Sequence, residues 1–176
     1  MSYRSLDELS QALMAAFRTH HPTVTRDHTD RGAELLQFLI PNPQFPAYGV
    51  SYEAEQDRGG DITGQLWFGQ CELSGNLPAV DAIPALSSVL SGEIVTVIRF
   101  RNQTTFEDRH PSGQQWVFQI LPDGEDGDDS DGAALTALLA RLNSPISLRD
   151  RVSGVHIGIF EIARWDEVNI IRREKK

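Results

Sequence analysis

A single cysteine, Cys71, leaves the chain no partner for an intramolecular disulfide. Long apolar runs are missing too. The longest are a few residues, such as GIF at 158–160 and ALLA at 137–140. A bilayer span needs about 20. The first ten residues, MSYRSLDELS, contain early acids and no continuous apolar stretch, so they do not read as a secretory signal. These absences together predict a soluble, cytoplasmic protein.

Signature motifs of catalysis are also lacking. The sequence has no G-x-S-x-G elbow, P-loop, G-x-G-x-x-G, H-E-x-x-H or CxxC pair. This weakens an enzymatic reading without settling it. The net charge of −9 argues against nucleic acid and anionic membrane as partners.

The chain does have ordinary globular content. At 176 residues and 40% hydrophobic it suits one folded domain over 1–176. SLDELSQALMAAFRTH (5–20) reads as a helix, with Leu6, Leu9, Leu13 and Phe17 on one stripe and a capping box from Ser5 to Glu8. ELLQFLI (34–40) is apolar on both faces and predicts a strand covered on both sides. AYGVSYEAE (47–55) alternates, placing Tyr48, Val50, Tyr52 and Ala54 together. DITGQLWFGQCEL (61–73) continues after a glycine turn, with Cys71 assigned to the face of Trp67 and Leu73.

Residues 76–92 predict a helix in their second half, with Asp81 as N-cap, Pro84 in the first turn and Gly92 as C-cap. Strands follow at 93–100 and 114–121, then a helix at 133–144 carrying Leu135, Leu138, Leu139 and Leu142. A last strand covers 154–165, and a frayed basic tail about 172–176. Short connections favour antiparallel pairing. The expected fold is α+β: a curved, mostly antiparallel sheet of about six strands, with about three helices packed mainly on one face. In element order the chain resembles the small acidic secretion chaperones of bacteria, which are α+β dimers. In size, acidity and lack of catalytic motifs it is similar to the immunity proteins that neutralise bacterial toxins.

One stretch stands out. DGEDGDDSDG (123–132) holds six acids: Asp123, Glu125, Asp126, Asp128, Asp129 and Asp131. Removing those six from the net charge of −9 leaves −3, so the acidity reads as mostly local. As an EF-hand loop the run fails. Starting at Asp126, Asp131 stands where glycine belongs and Ala137 where a ligand belongs; starting at Asp123, glycine falls at position five and Asp128 at six. Ser130 or Asp131 can cap the following helix, which uses one or two acids. The surplus predicts a mobile, self-repelling loop over about 123–131, either merely solvated or a landing surface for a basic protein.

Other constellations compete with it. His20, His21 and His28, with Asp27 and Asp30, form the densest histidine region. Adjacent His20 and His21 diverge, and the spacing to His28 fits no standard ligand pattern, so no metal or cofactor is expected. FEDRHPSG (106–113) offers Asp108, Arg109, His110 and Ser112 as acid–base groups, or else a plain loop turned by Pro111 and Gly113. Arg99 and Arg101 share a strand face and suit a planar anion, or else pair with surface acids. His156 reads as a satisfied, half-buried histidine. The leading expectation is a non-catalytic protein-binding domain whose six acids recruit a basic partner, with a homodimer compatible. The alternative is a small enzyme or anionic-ligand-binding domain near Arg99, Arg101 and His110.

Overall fold

The structure is a computed structural model that describes residues 3–29, 32–111, 114–120, 130–154 and 156–173. The chain divides into two compact units, residues 1–90 and 91–176. The α+β class and the antiparallel pairing read from the sequence are those of the structure. Among the described residues, however, the strands number nine and form two sheets, of five and four strands, rather than about six in one.

In the first unit, α1 (Leu6–Ala16) starts where Ser5 accepts a hydrogen bond from the Glu8 N–H at 3.2 Å. The Glu8 carboxylate reaches one residue beyond the expected box, accepting from the Arg4 N–H at 2.8 Å. Five strands then run as a consecutive meander: β1 (Thr23–His28), β2 (Glu34–Ile40), β3 (Val50–Gln56), β4 (Ile62–Phe68) and β5 (Cys71–Pro78). Helix α2 (Ala79–Leu90) closes the unit.

Period-two alternation buries Leu36, Phe38, Ile40, Val50, Tyr52 and Ala54 on one face. Helix α1 packs against β1–β3 and α2 against β3–β5, and the Phe17 ring lies 6.0 Å from that of Phe38. The other face stays open. Leu39 is 43% exposed, so β2 is covered on one side and not two. Helix α2 begins two residues before the expected cap Asp81, which places Pro84 inside the helix and removes one backbone bond.

In the second unit the sheet order is β7-β6-β8-β9, antiparallel throughout. It comprises β6 (Ile94–Phe100), β7 (Gln115–Gln119), β8 (Gly158–Arg164) and β9 (Glu167–Arg173). Between them lie α3 (Gln103–Glu107), α4 (Ser130–Asn143) and α5 (Leu148–Ser153). Strand β6 is central and buries side chains on both faces, as its β-branched sequence requires. One core cluster joins Val95, Val97, Phe118 and Phe160 with Leu142 of α4.

The extra strands have physical reasons. β1, TVTRDH, has no buried residue and reads as a break. It survives as an edge strand paired along its whole length with β2. β5 follows a reversal at Gly69 and Gln70, which the sequence pattern merged with β4. β9 pairs with β8 across a tight turn at Trp165 and Asp166. Arg172 and Arg173, expected in a frayed tail, are therefore strand residues, and Arg173 is only 4% exposed.

The same reversal relocates Cys71. It pairs with Phe68 and turns into the core rather than towards Trp67. Burial, with the Glu72 carboxylate beside it, pushes the thiol up to about 11. We expect Cys71 to resist an aromatic disulfide reagent in the native protein near pH 8 and to react fully after denaturation. Rapid labelling of the native chain would contradict this burial.

Candidate functional site

The three groups proposed to receive an anion do not stand free together. Arg99 is spent on its own unit. Its Nε donates to the Ile157 carbonyl at 2.8 Å, and its two terminal nitrogens donate to Gln114 Oε1 and the Gly154 carbonyl, both at 2.6 Å. Burial, then the nearby Arg101 charge, lowers its pKa from the ordinary value. Arg101 and His110 are exposed.

The segment FEDRHPSG is not a plain hairpin loop. It overlaps α3, which Asn102 starts with a reciprocal capping box to Thr105. Arg109, at φ +57°, turns back across the unit. Its guanidinium grips Glu161 of β8 with bonds of 2.5 and 2.9 Å, and sits 5.3 Å from the centre of the Phe100 ring. Glu161 is buried, so this pair pins α3 to the sheet. Of the acid–base candidates here, Arg109 is thus structural and Ser112 lies outside the described residues.

Among the described residues no three His, Cys, Asp or Glu side chains are placed to hold a metal ion. His20 ends a short helical turn, His21 follows in a left-handed conformation, and His28 ends the edge strand β1.

Five of the six acids in the run, Asp123, Glu125, Asp126, Asp128 and Asp129, lie outside the described residues. Asp131 is described. It sits in the first turn of α4, which begins at Ser130, and its Oδ2 accepts from the Gln119 N–H at 2.9 Å. That bond ties the helix start to β7, so one of the six acids has a structural task.

The division into units also revises the charge reading. Residues 1–90 hold 11 acids against 5 arginines, a net charge of −6 that owes nothing to the run. Much of it falls on the open face of the five-stranded sheet. Register places Asp27 beside Leu35 and Glu55, Gln37 beside Glu53 and Gln65, and Leu39 beside Ser51, Trp67 and Glu72. Four acids therefore share this face with Leu35, Leu39 and Trp67, and no Arg or Lys of the strands lies on it. A depression of about 330 Å³ is lined there by Glu53, Glu55, Thr63, Gln65 and Asn76. Arg26, the one cation of these strands, lies on the opposite face and pairs with Asp7 at 2.7 Å and Glu34 at 3.3 Å.

Sequence reasoning also missed a polar hub in the second unit. Asp150 is 1% exposed. One of its oxygens accepts from Arg141 at 2.7 Å; the other accepts from the Ser147 N–H at 3.0 Å, the Ser147 hydroxyl at 2.8 Å and Arg173 at 3.3 Å. His156 Nδ1 stands 3.4 Å away. The Ser147 backbone bond, then Arg141, hold the Asp150 carboxyl well below the usual carboxylate range, against burial. A local signal was available: SLRD (147–150) is a capping box of the S-x-x-D type.

Among the described residues no helix is long and apolar enough to cross a membrane. The chain matches no family model, no curated protein and no solved structure.

Proposed function

We propose that the protein is a non-catalytic, cytoplasmic binding domain that recruits a basic protein, as an accessory factor of the toxin-immunity or secretion-chaperone type. The observation that carries this reading is the open face of the first sheet. Asp27, Glu53, Glu55 and Glu72 stand on it with no strand cation, beside an uncovered Leu39. Uncompensated like charge costs folding energy and speeds encounter with an oppositely charged partner. The run at 123–131 adds six acids of the same sign to the sequence. Nucleic acid and anionic membrane are disfavoured by the same charge.

The test has two variants. One carries Asp27→Asn, Glu53→Gln and Glu55→Gln; the other replaces the six acids of residues 123–131 with Ser or Asn. Proteins captured by the wild type are identified, and association rates are measured with the purified candidate. We expect the sheet-face variant to associate about tenfold more slowly at low salt, with the gap narrowing as salt rises. Rates that neither variant nor salt alters would overturn the proposal.

A further inference from the structure

Beside the Asp150 hub a pocket of about 380 Å³ opens, lined by Arg141, Arg149, Asp150, Ser153 and His156. Its charge balance is unusual for this chain. The one carboxylate among its lining residues, Asp150, already meets two guanidinium groups, Arg141 at 2.7 Å and Arg173 at 3.3 Å. Arg149 adds a third. Its side chain is exposed, lines the pocket and bonds to no described residue. Arg173 lies behind the pocket; among the described residues that line it, two arginines face one aspartate, an excess of one positive charge before any charge on His156. The unit as a whole agrees: outside the acidic run, residues 91–176 hold 11 basic side chains and 8 acids.

The donors that remain point to the ligand. Arg141 spends Nε and one terminal nitrogen on Asp150 and Ser147, leaving its other terminal nitrogen without a partner among the described residues. Arg149 projects from α5, one residue before Asp150. His156 turns Nδ1 towards Asp150, so Nε2 lies on the far side of the ring. Groups from α4, α5 and the turn before β8 thus border one space from different directions, which suits a tetrahedral oxyanion better than a flat one. A phosphoryl group also satisfies Nε2 in either protonation state. It offers P–O⁻ acceptors to an imidazolium and, as the monoanion, a P–OH donor to a neutral ring. The volume falls near the lower end of small-molecule pockets, about 300–1,000 Å³.

We propose that this pocket binds a small phosphomonoester through Arg141, Arg149 and His156. The hub behind it, Asp150 with Ser147 and Arg173, holds Arg141 in place and needs no ligand to do so. The site is separate from the acidic sheet face, so either can fail without the other.

Phenyl phosphate titrated into the full-length protein, followed by two-dimensional amide NMR, tests this. We expect saturable shifts in α5 and at residues 156–157, with a Kd at or below about 1 mM. Arg149→Gln removes an exposed side chain outside the Asp150 hub, so its spectrum elsewhere and its unfolding temperature should match the wild type. It should weaken binding about tenfold or more. Arg101→Gln, at the other candidate position, should bind as the wild type does. The proposal is overturned by shifts that do not saturate, by Arg149→Gln binding at full strength, or by Arg101→Gln losing affinity. Malonate binding as tightly as phenyl phosphate would overturn the phosphoryl assignment.

Discussion

Replacing Arg173 with methionine is expected to destabilise the second unit by about 3–5 kcal/mol, the cost of removing one partner from a buried ion pair. Two losses combine. The guanidinium faces Asp150, itself buried, at 3.3 Å. It also closes the end of α4: the other terminal nitrogen lies within bonding distance of the carbonyls of Arg141, of Leu142 at 2.6 Å and of Ser144 at 2.7 Å, while Nε donates to the His156 carbonyl at 2.8 Å. The last carbonyls of a helix have no partner within it, and here one arginine from β9 supplies donors to them. Methionine keeps much of the volume and none of the donors. Arg172→Met is the matched comparison. Arg172 is exposed, so its change should stay within about 0.5 kcal/mol. Amide exchange in α4, β8 and β9, read together with urea unfolding, separates the two. An Arg173→Met protein within about 1 kcal/mol of the wild type would show the hub to be dispensable.

That prediction turns on a residue that reads, in sequence, as part of a frayed tail. Elements whose signal is periodic and local were legible: α1, β2, β3, β4, β6 and α4 follow from apolar spacing within a few residues. What escaped depends on partners far along the chain. β1 and β9 are polar strands whose stability comes from neighbours, β2 and β8, and not from their own composition. The Arg173–Asp150 and Arg109–Glu161 pairs join residues 23 and 52 positions apart. No local pattern encodes such distances, although SLRD at 147–150 marked Asp150 as half of a capping box. The charge reading failed for a related reason. Asp27, Glu53, Glu55 and Glu72 are scattered in sequence and become one surface only when four hairpin connections bring their strands together. A contiguous run such as 123–131 is conspicuous in a sequence, whereas acids dispersed along a meander are not.

The second large effect belongs to the first unit, at Gly64. Glycine to alanine in a strand ordinarily gains about 0.5–1 kcal/mol, because glycine loses more backbone freedom on folding. At Gly64 the sign should reverse. A Cβ built there lies 2.4 Å from the Glu53 carbonyl oxygen and 2.7 Å from the Tyr52 ring. The carbonyl belongs to β3, the strand paired with β4, so it cannot retreat without opening the ladder. The ring is fully buried and its hydroxyl donates to the Leu77 carbonyl at 3.0 Å, so it is held at both ends. Gly64→Ala should therefore cost about 3 kcal/mol, the upper end for overpacking a filled core. Gly75→Ala supplies the contrast. Its Cβ would meet only the Glu72 carboxylate, at 2.6 Å, the far end of an exposed side chain that can swing away. That variant should match or slightly exceed the wild type in thermal unfolding. If both variants lost the same stability, the cause would be a general intolerance of side chains near the irregular β4–β5 pairing. A loss confined to Gly64→Ala would instead identify the crossing of Tyr52 over β4 as the contact that fixes this sheet.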